Sequence, residues 1–159
     1  MSQLEIDIQT ETAAAESLQK AVRNAVEATL KHQHVEQKVS LAILLTDDAK
    51  LRQLNRDFLG FDEPTDVLSF PAGESWPEAE LYLGDIAISV PRAQRQAEAR
   101  GHTLKDEISL LTVHGVLHLL DFDHQNQEET DLMGSIQSGI LCGLGIDIED
   151  PFQNDDGAI

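Results

Sequence analysis

Three histidines, His114, His118 and His124, stand at i, i+4 and i+10 in the segment His114-Gly115-Val116-Leu117-His118-Leu119-Leu120-Asp121-Phe122-Asp123-His124. On a helix the first two share a face, with Cβ atoms roughly 5–6 Å apart. A turn after Leu120 brings the third back toward that face. Three neutral imidazole nitrogens converging from one side suit zinc. They leave a fourth position for water, the pattern of a catalytic rather than a structural zinc site. Half of the chain's six histidines lie in this one apolar stretch. One buried imidazole is readily satisfied by hydrogen bonds, but three together are hard to accommodate without an ion. The sequence therefore predicts one zinc per chain on His114, His118 and His124. His32, His34 and His102 show no ligand spacing and read as solvated.

The spacing is that of the H-E-x-x-H-x-x-G-x-x-H metallopeptidases, with two differences. Gly115 stands where those enzymes carry the general-base Glu, and Asp121 where they carry the turn Gly. A metzincin-like peptidase would keep the metal and lose its base. If position 121 needs a positive φ, Asp is among the better-tolerated substitutes. Hydrolysis does not require a strong base, because water on zinc ionises near neutral pH. A leaving group still needs a proton, and Asp66, Asp85 and Asp123 are candidates. Strand-end caps are an equal use for the first two, and Asp123 could orient an imidazole. No catalytic acid or base is assigned.

These residues must be positioned by a small set of elements. Leu4, Ile6 and Ile8 alternate with polar residues, as do Val39, Leu41, Ile43 and Leu45, which predicts two half-buried strands. Apolar residues from Leu18 to Leu30 follow helical spacing within an amphipathic helix over about 12–32. Thr46-Asp47-Asp48 offers caps for a helix that Gly60 ends. Short strands are expected over 66–70 and 81–90, separated by a loop rich in Glu, Gly and Pro over 72–80. Pro91 opens a helix that Gly101 stops. Thr103 with Asp106 caps the long helix 104–120 that carries His114 and His118. A last helix over 128–141 turns Leu132, Met133, Ile136 and Ile140 inward, and Cys142 reads as core packing. The fold class is α+β, one domain over 1–159. A small mixed sheet of about four strands packs with about five helices, the metal site lies on a central helix and the loop after it, and an acidic tail frays over 153–159.

Composition narrows the class. The longest apolar runs are too short to span a bilayer, and the N-terminus has no basic head followed by an apolar block. With one cysteine no internal disulfide can form, which fits the cytoplasm. Formal net charge is −18, and every Lys and Arg lies at or before Lys105. Such a chain repels nucleic acid over most of its surface. Arg92 and Arg95, one helical turn apart and followed by Arg100 and Lys105, are the best candidates for a local basic patch; an ordinary solvated helix face is the alternative.

The histidine segment resembles H-G-x-L-H-L-x-G-Y-D-H, the signature of the YbeY family of metal-dependent endoribonucleases. Leu54-Asn55 followed by Pro64-Thr65-Asp66-Val67-Leu68-Ser69-Phe70-Pro71 is similar to the family's L-N-x(8)-P-T-D-V-L-S-F-P. Leu83-Gly84-Asp85-Ile86 is similar to its L-G-D-I strand, and Leu144-Gly145 with Glu149-Asp150-Pro151-Phe152 to its C-terminal end. The resemblance implies an α+β fold, zinc on three His, and cleavage of single-stranded RNA in rRNA processing. That work would be small-subunit rRNA 3′-end maturation and ribosome quality control, with the ribosome or ribosomal proteins as partners and no DNA or membrane. It also implies that the 64–70 strand lines a cleft beside the metal, and that Gly115 lets a strand or substrate approach. Leu59 departs from the pattern. The family usually carries there an Arg implicated in activity, and Leu cannot stabilise phosphate charge. Arg56, three residues earlier near the same helical face, is a partial substitute. Leu59 and the acidic surface favour the alternative of a non-catalytic ribosome-associated zinc-binding factor.

Overall fold

The computed structural model describes residues 4–12, 17–72, 80–122 and 126–148. Four strands, β1 (Leu4–Thr10), β2 (Lys38–Thr46), β3 (Val67–Pro71) and β4 (Glu80–Ser89), form one sheet in the order β1-β2-β4-β3. β1–β2 and β2–β4 pair parallel and β3–β4 antiparallel, so β3 is an edge. Among the described residues five helices accompany it: α1 (Gln19–His32), α2 (Asp48–Leu54), α3 (Val90–Arg100), α4 (Leu104–Leu119) and α5 (Gln127–Gly143). The α+β class and the mixed four-stranded sheet expected from the sequence are those observed.

The alternation read in β2 sets the layers. Val39, Leu41, Ile43 and Leu45 are buried against a core built with α1, α3 and α4. In β4 the inward parity changes from Leu83 to Ile86 and Ile88, where the β2–β4 register shifts. Gly84 makes this bulge possible. Its φ is +137°, and a Cβ there would lie 2.3 Å from the carbonyl oxygen of Phe70. The other sheet face carries α2, whose Leu51 packs on Leu68 and Ala87.

Helix α4 is buried almost all round, as a helix apolar on every side must be. It packs on α1, α3, α5, β3 and β4. A second core of Ala25, Leu110, Val113, Leu117, Met133, Ile140 and Leu141 joins α1, α4 and α5. The predicted caps form: Asp47 accepts from the Lys50 N–H, Thr103 from Asp106, and Gly101 ends α3 at φ +77°.

Some expectations change. Helix α1 starts at Gln19 rather than near residue 12. Helix α2 passes into a π segment, Asn55–Leu59, before Gly60. Leu132 is exposed, because the buried stripe of α5 runs through Met133, Gln137, Ile140 and Leu141. Cys142 is exposed for the same reason of phase, so it is not a core residue. The 73–79 part of the loop and the acidic tail lie outside the described residues. Among the described residues no helix is long and apolar enough to cross a membrane.

Candidate metal centre

Helix α4 presents His114 and His118 one turn apart, with their Nε2 atoms 3.0 Å from each other. Two imidazole nitrogens bound to one zinc at tetrahedral angles stand roughly 3.3 Å apart, so the pair fits a shared ion with little movement. His114 is only 3% exposed. Its Nδ1 lies 2.6 Å from Oε1 of Gln137 on α5. A carbonyl oxygen can only accept, so this contact calls for the proton on Nδ1, which leaves Nε2 as the nitrogen facing His118. Second-partner hydrogen bonding of this kind accompanies metal-ligating histidines in general.

The turn after the helix is built from local rules. Asp121 adopts φ +74°. Its N–H bonds to the His118 carbonyl, and the Phe122 N–H to the Leu117 carbonyl. This is the helix ending in which a left-handed residue follows the C-cap. Asp occupies a place where Gly is usual, and the turn forms all the same. Phe122 packs into the second core and anchors the turn. His124 and Asp123 follow immediately and lie outside the described residues. Among the described residues no group of three or more His, Cys, Asp and Glu is placed to hold a metal ion.

Gly115 has a steric reason for being in α4. A Cβ there would lie 3.1 Å from Ile86 Cδ1 and Cγ2 and 3.2 Å from Ser69 Oγ. The Ser69 hydroxyl donates to the Gly115 carbonyl at 3.2 Å. The close approach is thus made by the edge strand β3 and by β4, and β3 lies beside the helix that carries His114 and His118.

The candidate proton donors separate. Asp66 is buried and accepts from the Val67 N–H at 2.8 Å and from Gln96 Nε2 at 3.2 Å, a strand-end cap holding β3 to α3. Asp85 accepts from the Tyr82 hydroxyl. Burial first, then this bond and the charges of Asp85 and Asp7, push the Tyr82 hydroxyl up to about 12. Both residues line a cleft of about 530 Å³ on the sheet face that carries α2, together with Asp7, Phe58 and Phe70. Neither His114 nor His118 lines it.

The cations read from the sequence as a patch are largely committed. Arg92 Nε lies 3.1 Å and Arg95 Nη2 2.5 Å from the two carboxylate oxygens of Asp48, which also accepts from Ser89 Oγ at 2.7 Å. This clips α2 to α3. Arg100 and His102 both engage Glu107, so His102 is not a solvated side chain. Leu59 closes the π segment and is 49% exposed. A π turn closes from i to i+5, so residues three apart no longer share a face as they do in an α-helix. Arg56 is therefore not aligned with Leu59, and it pairs with Asp57 at 3.2 Å.

Gln137 went unread in the sequence. The signal was a polar residue four after Met133 and three before Ile140, inside an apolar stripe.

An endoribonuclease YbeY of Desulforamulus reducens is 41% identical over 151 residues, 92% of this chain and 99% of its own length. One from a Roseiflexus species is 41% identical over 158 residues, 94% of this chain and 98% of its own. The solution structure of TM1509 from Thermotoga maritima superposes with a TM-score of 0.57 at 22% identity, covering 95% of this chain and 97% of that one, which supports the fold. The family model described as endoribonuclease YbeY matches residues 4–145, and the chain belongs to that family.

Proposed function

We propose that this chain is a zinc-dependent endoribonuclease that cuts unpaired RNA during rRNA maturation at the ribosome. The observation that carries the reading is the facing pair of Nε2 atoms on His114 and His118, 3.0 Å apart, with His114 Nδ1 set against the Gln137 carbonyl oxygen. His124 is the proposed third ligand. Zinc would supply water ionised near neutral pH and polarisation of a phosphoryl oxygen. The chain itself orients the imidazoles and borders the site with the edge strand β3. Three neutral imidazoles suit a polyanionic substrate better than the acidic cleft on the other sheet face.

Leu59 and the paired arginines favour a second reading, a ribosome-associated zinc-binding factor that no longer cuts. One assay separates the two. Purified protein is incubated with an unstructured RNA, and with casein as the peptidase control, in the presence and absence of chelator. We expect slow, chelator-sensitive RNA cleavage and intact casein. Cleavage should be lost in His114→Ala/His118→Ala and raised about tenfold in Leu59→Arg, since a cation beside a phosphate stabilises developing charge. RNA left intact by the wild type and by Leu59→Arg with added zinc would establish the non-catalytic reading.

A further inference from the structure

We infer that Gln137 is the positioning residue of the metal centre: its side-chain carbonyl fixes His114 as the Nδ1–H tautomer and so aims Nε2 at the ion. The inference rests on the metal reading of His114 and His118 and extends it to a residue on another helix.

The argument starts from an oddity of burial. Gln137 is 1% exposed and sits in the apolar layer between α4 and α5, among Met133, Ile140 and Leu141. Its Oε1 accepts from His114 Nδ1 at 2.6 Å. Its Nε2 has no hydrogen-bond partner among the described residues. Burying an amide with half of its capacity unused is unfavourable, and an apolar side chain of the same length would pack there without that loss. Packing does not explain the amide, whereas the imidazole does. A neutral imidazole has one N–H and one lone pair, and whatever accepts the N–H decides which nitrogen is left to bind a metal. With the carbonyl oxygen fixed against Nδ1, Nε2 is the nitrogen left.

The choice of an amide has a second consequence. Gln137 accepts the N–H without adding charge, so a dication on three imidazoles would keep its full charge. A carboxylate at this position would accept more strongly and add a negative charge behind the ligand, which raises ligand basicity. Gln137→Glu should therefore hold zinc at least as tightly as the wild type. Gln137→Met, which keeps length and burial but removes the acceptor, should hold it 10–100-fold more weakly.

The test uses the full chain. Zinc affinity is measured by competition with a chromophoric chelator for the wild type, Gln137→Met and Gln137→Glu. Thermal melting of each metal-free protein reads the fold, and ¹⁵N spectra of the histidine rings read the tautomer. We expect a folded Gln137→Met with the stated loss, recovery of affinity in Gln137→Glu, and an Nδ1–H signal for metal-free His114 that changes in Gln137→Met. Unchanged affinity in a folded Gln137→Met, or an Nε2–H tautomer in the metal-free wild type, would overturn the inference and leave the metal centre standing. The wild-type tautomer decides the matter even if Gln137→Met does not fold. A wild type with no affinity for zinc would instead remove the metal reading itself, and this inference with it.

Discussion

Helix α4 carries two buried polar clusters, and they differ in one respect that separates structure from function. Near its N-terminus Glu107, fully buried, is met by Arg100 at 2.8 Å and His102 at 2.5 Å. Two turns further on, His114 and His118 meet each other, with Gln137 behind. In the first cluster an acceptor with two oxygens faces two donors, Arg100 at the end of α3 and His102 in the connection to α4. The partners close on one another and the helices are pinned. In the second, the two Nε2 atoms face each other, and the hydrogen bond behind His114 holds its ring in that orientation. Buried polar groups must find partners. A set that completes itself holds the fold, and two imidazole nitrogens that face each other at 3.0 Å are spaced to suit an ion.

Reciprocal substitution is the strongest way to break this distinction. Glu107→Ala leaves His102 nearly buried without its acceptor, while Arg100, about a third exposed, can turn to water. We expect a loss of about 3 kcal/mol in folding stability, the low end for breaking a buried pair, with zinc content of the folded protein unchanged. His118→Ala should do the opposite, leaving the melting temperature of the metal-free protein nearly unchanged and removing most of the bound zinc. Chemical denaturation beside metal analysis checks both. Zinc lost from a folded Glu107→Ala would show that the two clusters act as one.

A smaller effect sharpens the comparison at Gly115, beside His114. An added Cβ would press on Ile86 and on Ser69 Oγ at 3.1–3.2 Å. Overpacking at such a contact costs roughly 1–3 kcal/mol, and Ala recovers about 1 kcal/mol of helix propensity. Gly115→Ala should be destabilised by about 1 kcal/mol net, because the side chains that must give are held: Ile86 is buried in the core and the Ser69 hydroxyl is bonded to the Gly115 carbonyl. A Gly115→Ala protein as stable as the wild type would mean that the Ile86 and Ser69 side chains give way, and that the close approach is not a constraint on the site.

The sequence carried the facing histidine pair and the order of strands and helices because both depend on local spacing. His114 and His118 need only one helical turn, and Val39 to Leu45 only a period of two. Asp121 was legible for a similar reason: the helix end asks for a left-handed residue whatever follows it. What could not be read required contacts across the chain. Gln137 lies 23 positions from His114, and nothing local marks it except a break in an apolar stripe. Arg92 and Arg95 looked like a patch because their partner, Asp48, lies more than 40 positions away. The π segment at Asn55–Leu59 also escaped, since an inserted residue leaves the apolar pattern of α2 almost intact.

That Asp48 cluster is the partly exposed counterpart of Glu107, and it gives the smallest and most pH-dependent effect. Burial raises the Asp48 carboxyl, but hydrogen bonds from Ser89, Arg95 and Arg92 outweigh it and hold the group below its ordinary value. A carboxylate depressed in the folded state favours folding above its unfolded pKa, and the contribution fades as pH falls through the folded value. The difference between the wild type and Asp48→Asn should therefore be constant above about pH 5 and shrink below about pH 4. The Asp48 side chain is 33% exposed, so water and salt screen the pairs. The constant difference should be about 0.5–1 kcal/mol and should fall further in high salt. Melting curves of the two proteins from pH 3 to pH 8, at low and high salt, read it directly. A difference that persists undiminished at pH 3 would mean that Asp48 acts through the neutral hydrogen bond from Ser89 rather than through the arginines. The α2–α3 clip would then be no ion-pair cluster, and Arg92 and Arg95 would again be available to meet a phosphate.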